Sequence, residues 1–191
     1  MHKLLKWLLI FGLLVAPLAT WFFFKPVRVM APTLVGVKCT ESGICLDDLA
    51  LLQKATELKD KAMAFVQGKL GPMQKTPRII YCSTRECAKA FGITSNAAYH
   101  FGTFGVVIGP RGWEPYVVRH ELIHHVQMEH LGSWHALLVT PTWFIEGMAY
   151  SLSEDPRRPL PTESLESYRV QFESWYSGIR PITLWSSAEA L

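Results

Sequence analysis

The stretch VVRHELIHHVQMEHLG, residues 117–132, limits the possible folds more than any other part of the chain. Pro115 ahead of it and Gly132 at its end are start and stop signals for a helix. His120 and His124 are four residues apart, so on that helix they stand one turn apart on one face. Glu121 sits beside them, and Val117, Val118, Leu122 and Val126 supply an apolar side to bury. Other elements must cover such a helix while leaving its imidazoles within reach of a shared ligand. The plain alternative is a histidine-rich surface helix that holds no metal.

The flanking signals fix the rest of the organisation. Asp47 or Asp48 can cap a helix running to about Gly68, with Leu49, Leu52, Ala55, Leu58, Ala62 and Phe65 at helical spacing. TPRIIYCS reads as a short strand and TRECAKAFG as a short helix ended by Gly92. SNAAYHFGTFGVVIGP is β-branched and aromatic, punctuated by glycine, and reads as two strands with a turn near Gly102 to Gly105. PTWFIEGMAYSLSED predicts a further helix, broken by PRRPLP. TESLESYRVQFESWYSG predicts another, with Thr162 as cap and Gly178 as stop. The C-terminal TLWSSAEAL either docks on the domain or trails free. Strands followed by helices without regular alternation indicate α+β.

The first 25 residues stand apart. Leu4 to Phe24 carries one charge, Lys6, and as a helix would be about 31 Å long, enough for a bilayer. Trp21 to Phe24 lie where an interfacial aromatic belt would fall. A cleaved signal peptide is the competing reading, but the small residues that cleavage needs are poorly placed. The expectation is a membrane anchor or signal segment over 1–25, a linker with the first cysteine pair over 26–46 and the main domain over 47–191.

Four cysteines occur as two close pairs, Cys39 with Cys45 and Cys82 with Cys87. Their spacings do not match zinc knuckles and read better as two local disulfides, although four cysteines allow three pairings. Disulfides imply an oxidising compartment, hence a single-pass membrane protein with its domain in the periplasm or outside the cell. The net charge is +3, and no dense basic cluster interleaves with aromatics, so nucleic-acid binding has no support. Oligomeric state is not legible.

His120, Glu121 and His124 form the pattern HExxH, in which two histidines hold zinc and the glutamate serves as general base. The third ligand has two candidates. His130 has the ten-residue spacing of the metzincin pattern, but Gln127 replaces the glycine that turns that chain back. On a continuous helix His130 would lie about 15 Å along the axis from His120. Glu146, in PTWFIEGMAY, is a carboxylate among apolar residues that needs a counter-charge, and a cation would supply it. An ordinary glutamate at a helix edge is the alternative. His125 and His135 read as surface and loop histidines.

HExxH followed by WFIEGMA resembles the gluzincin class of zinc metallopeptidases, in compact single-domain form, over about residues 78–176. The resemblance implies a zincin-like domain in which the HExxH helix packs on a glutamate-bearing helix beside a short β-sheet. It implies Zn2+ held by His120, His124 and Glu146, with Glu121 as base for attack by water on a peptide bond. Asn96 and Ala97, in NAAY, are similar to the edge strand that aligns peptide substrates there. Tyr168 is the candidate for stabilising the oxyanion, ahead of Tyr150 and Tyr176. The class often carries an acid one turn after the glutamate ligand. Tyr150 stands there, with Glu154 or Asp155 as possible substitutes. The implied partners are a peptide or protein substrate and, through the N-terminal helix, a membrane. The alternatives are a metzincin-like peptidase using His130, a non-catalytic membrane-bound zinc module, and an amide hydrolase acting on a non-peptide substrate of the cell envelope.

Overall fold

The computed structural model describes residues 2–191. In chain order the elements are α1 (His2–Phe23), β1 (Lys38–Cys39), β2 (Ile44–Leu46), α2 (Leu52–Leu70), β3 (Arg78–Tyr81), α3 (Arg85–Ala90), β4 (Ala98–Phe101) and β5 (Gly105–Ile108). There follow α4 (Pro115–Leu131), α5 (Ser133–Leu138), α6 (Thr142–Leu152), α7 (Glu163–Tyr176) and α8 (Leu184–Ala188). The class is α+β with a small mixed sheet.

RIIY and GVVI are apolar at nearly every position because the sheet centre is covered on both faces. Strand order is β1-β2-β3-β5-β4, with β2, β3 and β5 parallel and both outer pairs antiparallel. Ile79, Tyr81, Val106 and Ile108 face a core shared with α2, α4 and α6. Ile80, Cys82 and Val107 face a smaller core closed by Ala88, Phe91 and the segment containing Val29 and Val37. The stretch 26–46 is thus built into the packed unit, since Val29, Ile44 and Leu46 are buried and β2 lies against β3. Cys39 and Cys45 oppose each other across the β1/β2 ladder and are bridged, as are Cys82 and Cys87.

Asp48 accepts from the Ala50 N–H and starts a short 3-10 turn that leads into α2. The buried stripe of α2 is Ala55, Lys59, Ala62, Val66 and Leu70. It is rotated from the expected one because Leu52, Leu58 and Phe65 sit at the edge of the core. Lys59 is tolerated inside because its ammonium donates to the Ser42 carbonyl. Between α6 and α7 the contact is made at Gly147, where a Cβ would lie 2.2 Å from the Tyr168 carbonyl oxygen. The C-terminal stretch docks: Leu184 and Ala188 are buried, and Trp185 stacks on His130 at 4.1 Å between ring centroids.

The membrane expectation is corrected. The N-terminal run is helical, but among the described residues no helix is long and apolar enough to cross a membrane. Lys3 and Lys6 lie inside α1, and from Trp7 to its end at Phe23 an α-helix rises only about 26 Å, short of a hydrocarbon core of about 30 Å. The single-pass membrane localisation is set aside on that finding, while the two disulfides fit an oxidising compartment.

Candidate metal centre

Helix α4 crosses the middle of the domain and is buried on most sides, which puts polar groups in the interior. Glu121, His124, His125 and Gln127 are all buried. His125, expected at the surface, hydrogen-bonds the Lys75 carbonyl at 2.9 Å and contacts Glu129, and so ties down the loop before β3.

His120 and His124 face α6, and Glu146 on that helix faces back. The Nε2 atoms of the two histidines are 3.0 Å apart. One carboxylate oxygen of Glu146 lies 3.7 Å from His120 Nε2 and the other lies 3.7 Å from His124 Nε2. Two ligands about 2.1 Å from one tetrahedral ion are separated by about 3.4 Å, so these spacings bracket what such an ion requires. The chemistry of the set, two imidazole nitrogens and a carboxylate oxygen, suits a divalent cation. A second group, His100, Glu121 and His124, is also close enough to hold a cation, and it shares His124 with the first.

Gln127 decides how His124 presents itself. Its side-chain amide donates to the Ile145 carbonyl at 3.0 Å, so its oxygen faces His124 Nδ1 at 2.8 Å. His124 Nδ1 must then carry the proton, and Nε2 offers its lone pair toward His120 and Glu146. The acceptor of the Gln127 amide is the carbonyl just before Glu146, so one buried side chain locks α4 to α6 beside the His/Glu cluster. Sequence reasoning used Gln127 only as the residue that replaces a glycine. The signal it carried was its place three residues after His124, on the same helix face.

His100 on β4 was also missed. Its Nδ1 is 3.5 Å from Glu121 Oε2, and its ring lies 4.5 Å from that of His124. In the metal-free chain, burial lowers its pKa to about 4. Burial and then the neighbouring His124 hold His120 well below the ordinary imidazole value. His124 is also lowered, by burial and then His100. Glu121 is pushed up to about 7 by burial, with Glu146 adding and His124 opposing. All three rings therefore stay neutral, as metal ligation requires.

Of the other anticipated residues, Asn96, Ala97, Tyr150 and Asp155 line a cleft of about 340 Å³ together with the His/Glu cluster, and Tyr99, Tyr116 and Arg157 line it beside them. Tyr150 packs edge-on against His120 at 4.4 Å, and burial, then Glu146, pushes its hydroxyl up to about 12. Tyr168 does not line the cleft; its backbone packs on Gly147, while Tyr176 stacks on Phe172. His130 is in neither cation group and lies against Trp185. Glu154 pairs with Lys69 and Arg119, and Asp155 with Arg157, so neither acid supports a cluster histidine.

β4 is an edge strand beside the cleft. The Ala97 carbonyl is taken by the Gly109 N–H at 2.8 Å. By the alternation of an antiparallel ladder, Ala98 and His100 then turn their main-chain groups to the open edge.

No family model matches the chain, and neither a curated protein nor a solved structure matches it.

Proposed function

We propose that this protein is a zinc-dependent metallopeptidase of gluzincin type. His120, His124 and Glu146 would hold the ion, and Glu121 would serve as general base. The observation that carries this reading is the convergence of two imidazoles and one carboxylate from two helices, with a second, buried carboxylate on the adjacent residue. A purely structural site has no need of that second acid. When bound, the ion supplies a Lewis acid that polarises a carbonyl and acidifies water.

The chain's own groups supply the rest. Glu121, buried and pushed toward neutrality, takes a proton from the attacking water and returns it to the leaving amine. His100, beside its carboxylate, restrains its orientation. The Tyr150 hydroxyl, which stays protonated at neutral pH, is the donor placed to stabilise a developing oxyanion. An extended peptide adds to the open edge of β4, using the main chain of Ala98 and His100, with Asn96 at the strand's start.

The test is cleavage of a denatured protein and of a peptide library by wild type and Glu121→Gln at matched zinc content. Loss of general-base catalysis predicts a rate lower by about 10²–10⁴. Equal rates, or no cleavage by zinc-loaded wild type, would remove the peptidase reading.

A further inference from the structure

Arg157 is the only lysine or arginine that lines the cleft among the described residues. It gets there because α6 ends at Leu152 and Glu154 takes a left-handed conformation, φ 58°. That turn brings the chain back beside Tyr150, one turn after Glu146 on α6. The guanidinium carbon is 5.3 Å from the centroid of the Tyr116 ring and 5.9 Å from that of Tyr150. Tyr150 in turn touches His120.

The arginine is fixed from two directions. Asp155, whose side chain is 1% exposed, accepts from Arg157 Nε at 2.9 and 3.1 Å, from Nη2, and from the backbone N–H of the same residue at 2.9 Å. The wholly buried Arg169, paired with Glu166, donates to the Arg157 carbonyl at 2.9 Å. Two buried charges are thus used to hold a third at the mouth of the cleft. Asp155 occupies only the Nε side of the guanidinium. The end face, with Nη1 and the second Nη2 hydrogen, has no acceptor among the described residues, and the side chain is 40% exposed. Two parallel N–H groups in that fork match a carboxylate.

We propose that the end face of Arg157 receives a carboxylate of the substrate, so that the cleft favours peptides presenting an acidic group near the bond that is broken. This rests on the peptidase reading. The carboxylate has two possible sources, the C-terminus of the peptide and an acidic side chain.

Three acetylated alanine hexapeptides separate these sources: one ending in a free carboxylate, its C-terminal amide, and an amide whose last residue is glutamate. The zinc-loaded full chain should cleave one or both acidic peptides with kcat/KM roughly ten- to a hundredfold above the plain amide, the range of a charge-assisted pair. In Arg157→Gln the acid-to-amide ratio should fall to near one, and in Arg157→Lys it should be partly kept. Preference for the free acid alone assigns a C-terminal carboxylate, and preference for both assigns acidic groups in general. Equal cleavage of all three by wild type, or a preference surviving in Arg157→Gln, overturns the proposal. Calorimetric binding of the same peptides to zinc-loaded Glu121→Gln, with and without Arg157→Gln, judges it independently of turnover. If nothing is cleaved but the acidic peptides bind more tightly through Arg157, the carboxylate site stands and the peptidase reading fails. If all three bind alike, the carboxylate site fails whatever the enzyme does.

Discussion

On the floor of the cleft, His124 and Gln127 are sealed in, and their polar atoms are matched between α4 and α6. On the rim, Arg157 is held just as firmly at its Nε side and backbone but turns an unpaired face to solvent. Both regions use buried polar groups to fix a neighbouring side chain. The floor completes its hydrogen bonds within the protein, which suits holding an ion in one geometry. The rim leaves donors free, which suits recognising something that arrives.

The largest effect is expected at the proposed metal ligands. His124→Ala or Glu146→Ala should lower zinc affinity by more than about a thousandfold, because an incomplete site loses both a donor and its partner's orientation. His130→Ala should leave affinity unchanged. Competition with a chromophoric chelator reads both, and loss of zinc in His130→Ala with retention in Glu146→Ala would reverse the ligand assignment. Gln127→Leu should weaken zinc binding by about 10- to 100-fold while the fold survives. Gln127→Glu, which restores an acceptor for His124 but not the donor to Ile145, should recover part of the loss. Affinity equal to wild type in Gln127→Leu would make that side chain mere packing.

The floor also depends on how closely α7 approaches α6. Gly147→Ala places a methyl against the Tyr168 carbonyl oxygen and Phe172 Cβ, and should destabilise the protein by about 1–3 kcal/mol in chemical unfolding. An unchanged midpoint would mean that the two helices are free to part.

The last effect is that of pH on the metal-free chain, where opposed groups partly cancel. His100 titrates near pH 4 in the fold but near 6.5 when unfolded, so between those values the unfolded chain holds the extra proton. Stability from this group therefore rises with pH from about 4 to 6.5, and His120 and His124 act in the same direction. Glu121 opposes them: raised from 4.5 to about 7, it makes stability fall as pH climbs through that window. With three groups against one, the melting temperature in EDTA should rise between pH 4.5 and 6.5. The rise should be shallower in His100→Phe, and a steeper one would contradict the account.

The sequence was most legible where short-range periodicity sets the structure. The four-residue spacing of His120 and His124, the Pro115 start and the RIIY and GVVI strands all come from local geometry, and α4, β3 and β5 lie where that geometry puts them. The pairing of Cys39 with Cys45 and of Cys82 with Cys87 is likewise between near neighbours. Reading failed where the answer lay between elements. His100 is twenty residues before His120 and reaches Glu121 only because β4 lies against α4. Tyr168 was the expected oxyanion donor, ahead of Tyr150, yet in the α6–α7 packing Tyr150 lines the cleft and Tyr168 does not.

What the sequence settles alone is therefore the chemical inventory and its local spacing: a helix with two imidazoles on one face, a carboxylate beside them, and a second acid in an apolar helix. Backbone geometry repeats every 3.6 residues whatever the surroundings, so those relations survive without a fold. Which acid faces the imidazoles, which tautomer His124 adopts, and which arginine looks into the cleft were decided only by tertiary structure. Each depends on burial and on partners far away in the chain, and both come into being only when the sheet and helices close around α4.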